Sequence, residues 1–300
     1  MRAAAILAGR VIVLSIVLFV CISVAAGVVG QPPGSSAPEP SGSAALALVV
    51  VCLLDTIVLT HFILRSRWAG WRLVATVFFV FYGVSTFMPQ IESAVFITRL
   101  PEGMLPRLFL MGAVFAAPFS VAAVLILGKR KASDSDAPEN SRLVMPNREW
   151  AWKLAVIAVV YVILYFTFGY FIAWKNPAVR EYYGGSDPGG FLAQMGTVVR
   201  DTPWLIPFQI LRAMLWTLLA LPVVRSLKGA WQETSLSIGF MFAVLMSDLL
   251  LLPNPYMPES VRMSHLVETA LSDFFFGAFV GGLLLRRRAL PNNALHAALR

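Results

Sequence analysis

His265 and Glu268 stand one helical turn apart, and Ser272 follows four residues later, so all three fall on one stripe of a helix. An imidazole beside a carboxylate can act as an acid–base pair, and the same two groups are part of the donor set of a zinc site. Glu92 or Asp248 would have to supply a third metal ligand. The sequence contains no HExxH pattern, and His61, His265 and His296 are far apart along the chain, so no metal and no cofactor are expected. Walker loops, nucleotide-binding glycine fingerprints and Gly-x-Ser-x-Gly elbows are also missing, which excludes ATP-driven pumping by this chain.

The candidate side chains sit in apolar segments. A charge at mid-depth in hydrocarbon costs at least about 2.5 kcal/mol, so such groups face protein or water and point to function. Six are present: Asp55, Glu92, Arg212, Asp248, Glu268 and Asp273. From the helical rise, Arg212 lies about 12 Å and Asp248 about 7 Å from the outer end of their segments. Glu92 closes its segment and Glu268 opens its own, so four of the six fall toward the outer end. Arg212 is the one base at mid-membrane depth, and it should pair with Asp248, Glu92 or Glu268. A structural ion pair that fixes helix register and a substrate-binding group both satisfy that expectation. The expected substrate-binding set is therefore Glu92, Arg212, Asp248, His265 and Glu268, with no catalytic residue assigned.

Each candidate has neighbours on its own face. Tyr82, Ser85 and Pro89 share Glu92's face, where Pro89 could kink the helix, and Gln209 and Trp216 share Arg212's. Phe275 and Phe279 continue the His265 stripe inward as an aromatic floor. Asp273 is expected on a broadly opposite stripe as a packing residue, together with the GxxxG spacing of Gly277 and Gly281. Asp55 reads as a structural carboxyl satisfied by backbone.

The elements that position these groups follow from composition. With 58% hydrophobic and 13% charged residues in 300, the chain cannot present a water-facing surface all round. Eight stretches approach the length of about 20 residues needed to cross hydrocarbon. They are 9–29, 44–64, 73–94, 106–128, 151–174, 204–224, 234–252 and 265–285. Backbone amides cannot go unpaired in lipid, and no alternating barrel strands are present, so the expected fold class is an all-α membrane protein with eight transmembrane helices.

Seventeen of the 24 basic residues fall in one set of inter-span segments, among them Arg65, Arg72, Lys129, Arg225 and Arg286. Six, including Arg107, Lys175 and Arg262, fall in the other. By the positive-inside rule both termini are cytoplasmic, in a cell membrane expected to be a bacterial inner membrane. The same asymmetry explains a pI near 9.9 without a nucleic-acid partner. The lipid bilayer is the expected partner, and a small polar or lipid-linked substrate a further one. Cys21 and Cys52 lie in apolar runs and form no disulfide framework.

The first span could be read as a cleavable signal, with Ala25, Ala26 and Gly27 as its small residues, but its apolar run is long and an uncleaved helix is expected. Gln31–Ser43 is then an outer linker. The layout is a first transmembrane half at 1–128, a cytoplasmic linker at 129–149, a second half at 150–288 and a cytoplasmic tail at 289–300. In the long outer loop 175–203, Asn176-Pro177 can start a short helix that Gly184-Gly185 ends. Phe191, Leu192, Met195, Val198 and Val199 give an amphipathic stretch, and Tyr182, Tyr183 and Trp204 fit an interfacial belt.

Landmarks recur between the halves: Arg65-Ser66 with Arg225-Ser226, Pro101-Glu102 with Pro258-Glu259, and Lys129-Arg130-Lys131 with Arg286-Arg287-Arg288. Two duplicated parallel four-helix halves fit these matches, and so does any bundle with basic residues after its spans. Three function classes are compatible with the sequence. The preferred one is a small-solute or ion-coupled permease with a polar outward-facing vestibule. The alternatives are a membrane-embedded enzyme acting on a lipid or lipid-linked substrate at the outer leaflet, and a non-catalytic assembly subunit.

Overall fold

The computed structural model describes residues 2–30, 42–97, 100–131, 143–187, 189–253 and 256–286. The tail 289–300, the basic residues Arg99, Arg142, Arg287 and Arg288, and most of both linkers (31–41 and 132–142) lie outside the described residues.

Eight described helices are long and apolar enough to cross a membrane. In chain order they are α1 (Arg2–Val29), α2 (Gly42–Arg65), α3 (Gly70–Phe96), α4 (Met104–Ile126) and α5 (Asn147–Ala173). Two short helices follow, α6 (Pro177–Tyr182) and α7 (Phe191–Asp201). The last three spans are α8 (Leu205–Ser226), α9 (Trp231–Leu251) and α10 (Glu259–Leu285). The described residues are otherwise connected by turns, apart from an isolated antiparallel bridge between Ser66 and Leu227. Apolar side chains such as Ile16, Leu211, Leu218 and Phe240 are exposed on the outside of the bundle, where hydrocarbon is their natural solvent.

The helix end that matters most to the candidate site is that of α10, which begins at Glu259 rather than near His265. Pro258 precedes the first turn and Glu259 favours the positive helix start, so two turns of polar sequence join the helix. His265 is therefore inside a helix and not at its fraying end. The short helix α6 starts as its sequence suggests: the Asn176 side chain accepts from the Ala178 amide at 3.0 Å.

Two spans contain a π-helical turn, at Gly83–Phe87 in α3 and Gly169–Ala173 in α5. The first lies just before Pro89, whose missing N–H and bulky ring disturb the preceding turn, and an inserted residue is one way a helix absorbs that disturbance. The second has no proline so near; Pro177 follows it four residues on and starts the next helix. Each turn opens on a glycine.

α9 and α10 form the tightest pair. A Cβ on Gly277 would sit 2.8 Å from the Ile238 carbonyl oxygen, one on Gly281 2.8 Å from Ser235 Cα, and one on Gly239 2.8 Å from the Phe274 carbonyl oxygen. The GxxxG spacing thus works as a backbone-to-backbone contact, as small residues allow. Elsewhere α1 packs on α2 and α4, α3 on α4, α5 on α8 and α10, and α2 on α9. Lys153 is almost fully buried and joins α5 to the end of α10, donating to the Arg286 carbonyl at 3.0 Å and pairing with Glu149 at 2.8 Å.

At the basic end the chain turns are tied together. Arg67 N donates to Ser226 O at 2.7 Å, Lys228 N to Arg65 O at 2.9 Å, and Lys129 Nζ to Ser66 O at 2.8 Å. The two landmark dipeptides Arg65-Ser66 and Arg225-Ser226 are therefore neighbours in space. Arg65 also makes a forked pair with Glu233, with Nε to one carboxylate oxygen and Nη2 to the other at 2.7 Å.

Candidate functional site

Arg212 sits seven residues into α8, about 10 Å along the helix. It is 2% exposed, and its Nη1 lies 2.5 Å from Glu92 Oε1 on α3 and 2.9 Å from Gln209 Oε1 one turn earlier. Of the three partners the sequence allows, Glu92 is the one that pairs. Glu92 is 30% exposed, so the pair has one buried and one accessible member. The pair spans two helices, as a long guanidinium readily does, and it stacks over Tyr161 on α5 with 5.6 Å from the guanidinium carbon to the ring centroid.

Below the ion pair the floor is Tyr161, Trp216 and Phe276. Trp216 Nε1 donates to the Tyr161 hydroxyl at 3.2 Å, and the Tyr161 and Phe276 rings lie 4.7 Å apart. Phe275, expected in this floor, is half exposed on the outside of the bundle. The offset of one residue, about 100° of helix rotation, exchanges it for Phe276.

On α10 the His265–Glu268 pair forms as its spacing implies, with Nδ1 2.9 Å from Oε2. A carboxylate only accepts, so Nδ1 carries the proton, and in the neutral imidazole Nε2 then accepts from the Tyr183 hydroxyl, 3.2 Å away. Burial pushes the Tyr183 phenol above its ordinary pKa, with the nearby Tyr182, Glu92 and Glu268 groups adding to the effect, so it stays a neutral donor. The result is a chain of hydrogen bonds from Tyr183 through His265 to Glu268. Glu268 and His265 are also within electrostatic reach of Glu92, which links this chain to the ion pair.

Tyr183 reaches His265 because the segment after α5 folds back on α10. Asn176 Nδ2 donates to Ser260 O at 3.1 Å, to Ser260 Oγ at 2.9 Å and to Ser264 Oγ at 2.7 Å. The Tyr182 hydroxyl donates to Tyr256 O at 2.8 Å. Gly185 is needed next to this latch, since a Cβ there would lie 2.7 Å from the Trp174 ring. Tyr183 thus covers His265, where the sequence reading expected an outward-open vestibule.

Two further expectations change. Asp248 does not join Arg212; it begins the tight turn Asp248–Leu251 that ends α9 and packs on α2, the helix of Asp55, and both its carboxylate oxygens are without a hydrogen-bond partner among the described residues. Depth alone put it in the same outer half as Arg212, but the bundle places α9 between α2 and α10. Asp55, expected to be satisfied by backbone, keeps one carboxylate oxygen without a hydrogen-bond partner among the described residues. Asp273, assigned to a packing stripe, is 5% exposed and within electrostatic reach of Arg212, Glu92 and Glu268.

The second π turn adjoins this cluster: a Cβ at Gly169 would lie 3.7 Å from Glu268 Oε1. The first precedes Glu92 by one turn of helix. Sequence reasoning missed Tyr161 altogether, missed Tyr165, which is within electrostatic reach of Glu92 and Arg212, and gave Tyr183 only to an interfacial belt. Tyrosines at four-residue spacing on an otherwise apolar span were the signal available for the first two.

Two donors in this interior remain open. Arg212 Nε and Gln209 Nε2, both shielded from solvent, have no hydrogen-bond partner among the described residues. Among the described residues no group of three His, Cys, Asp or Glu is placed to hold a metal ion. What the arrangement can do is accept an electronegative group at the open donors and move a proton along Tyr183, His265 and Glu268. No protein-family model matches the chain, and neither does any curated protein or solved structure.

Proposed function

We propose that the protein is a small-solute or ion-coupled permease of a bacterial inner membrane, with both termini in the cytoplasm. The observation that supports it most is the pair of open donors, Arg212 Nε and Gln209 Nε2, inside a bundle of spans. A buried donor without an acceptor costs roughly 1–3 kcal/mol, which a substrate carboxylate, phosphate or carbonyl oxygen would offset. Glu92 occupies one edge of the same guanidinium and is accessible, so an anionic solute would compete with it for Arg212. Released, Glu92 can take up a proton from the His265–Glu268 pair, which would couple solute movement to protons. The orientation rests on the basic-residue asymmetry. The contact between Arg65-Ser66 and Arg225-Ser226 favours two parallel halves related by duplication.

The test is uptake into proteoliposomes of a panel of radiolabelled small carboxylates, amino acids and phosphate. Saturable uptake of at least one member is expected, lost in Arg212→Gln and uncoupled from a proton gradient in Glu92→Gln. Uptake unchanged in both variants would remove this mechanism.

The Tyr183–His265–Glu268 chain favours a second reading, an enzyme acting on a lipid-linked substrate at the outer leaflet. An imidazole oriented by a carboxylate is a competent general base. That reading requires turnover of a lipid-linked substrate that His265→Ala abolishes and Arg212→Gln weakens only through binding.

A further inference from the structure

A groove of about 410 Å³ runs between α3 and α8 at the basic end of the bundle, away from the site above. Its rim holds two exposed guanidiniums, Arg72 and Arg225, one from each helix. Arg72 is held over the Trp68 indole, with its guanidinium carbon 3.9 Å from the ring centroid, so it is already oriented at the rim. Further in, the groove is apolar and faces outward: Phe79 is 40% and Leu218 51% exposed. Phe79 lies seven residues beyond Arg72 and Leu218 seven before Arg225. Both walls therefore run about 10 Å from cationic head to apolar body. That is the layout of one amphipathic molecule with an anionic head and a hydrocarbon chain. The surrounding turns add Lys129 and Lys228 to the positive field.

We propose that this groove binds a single anionic phospholipid, with its phosphate between Arg72 and Arg225 and an acyl chain along Phe79 and Leu218. Charge complementarity selects the occupant: a zwitterionic lipid presents its phosphate with a compensating cation, and a free phosphate leaves the apolar walls bare. Other bonds made by the two guanidiniums do not prevent this, because each has five donors. The proposal is independent of what the bundle transports or transforms.

Native mass spectrometry of the detergent-purified protein tests it, with phosphatidylglycerol and phosphatidylcholine added in equal amounts. One phosphatidylglycerol is expected to be retained in preference, and millimolar inorganic phosphate should not displace it. Arg72→Gln/Arg225→Gln should weaken that retention roughly 10- to 30-fold, from the usual contribution of a basic residue near an anionic headgroup. Arg2→Gln/Arg10→Gln, an equal charge change on α1, should leave it unaltered. Leu218→Trp, which fills the groove without changing charge, should displace the lipid as well. Equal retention of both lipids, equal losses in the two arginine doubles, or full retention in Leu218→Trp would each overturn the proposal.

Discussion

Replacing Glu92 and Arg212 singly and together gives the sharpest test of the polar interior, because the two partners differ so much in exposure. At an effective dielectric near 20, unit charges at contact attract by about 4 kcal/mol, and desolvation offsets much of this. Glu92→Gln leaves a guanidinium at 2% exposure with neutral amide acceptors in place of its carboxylate, whereas Arg212→Gln leaves a carboxylate that is 30% exposed. The first should therefore destabilise more, by roughly 2–3 kcal/mol against about 1 kcal/mol for the second; both are discounted from the 3–5 kcal/mol typical of breaking a fully buried pair. The double variant Glu92→Gln/Arg212→Gln leaves two neutral amides and should recover at least about 1 kcal/mol of the summed loss. Unfolding of the detergent-solubilised protein, followed by tryptophan fluorescence, measures all four forms. Equal single effects with an additive double would refute the reasoning, since neither the asymmetry of exposure nor the ion pair would then govern stability.

Gly277→Ala should cost roughly 1–3 kcal/mol, because its Cβ meets the backbone of α9 at Ile238 and Gly239. Gly282→Ala, whose nearest neighbour is the movable Ser235 hydroxyl at 3.3 Å, should cost less in the same unfolding assay. Asn176→Ala removes the latch on Ser260 and Ser264 and a helix cap worth about 1 kcal/mol, so hydrogen exchange should rise across 177–187 while the spans stay protected. Unchanged exchange there would mean that α6 is held by other contacts. Asp55→Asn keeps a polar side chain within electrostatic reach of Asp248 and should be tolerated, whereas Asp55→Leu leaves that carboxyl facing a hydrocarbon chain and should cost roughly 1–3 kcal/mol, again read from unfolding.

The eight spans and the all-α class were legible in the amino-acid order because lipid forces each segment to satisfy its own backbone, which makes a span a local property of about 20 residues. The same locality explains why the α6 start at Asn176-Pro177, the GxxxG contact face and the His265–Glu268 pair could all be read in advance: each joins residues a turn or less apart. The tertiary structure alone decided that Arg212 meets Glu92, that Asp248 packs on the helix of Asp55, that Asp273 looks into the cluster and that Tyr183 comes down on His265. Depth along a helix follows from counting residues, but which helix stands beside it does not. Neighbours are chosen by packing over whole faces, as Gly239, Gly277 and Gly281 choose α9 for α10, and the polar groups meet whichever partners that packing brings.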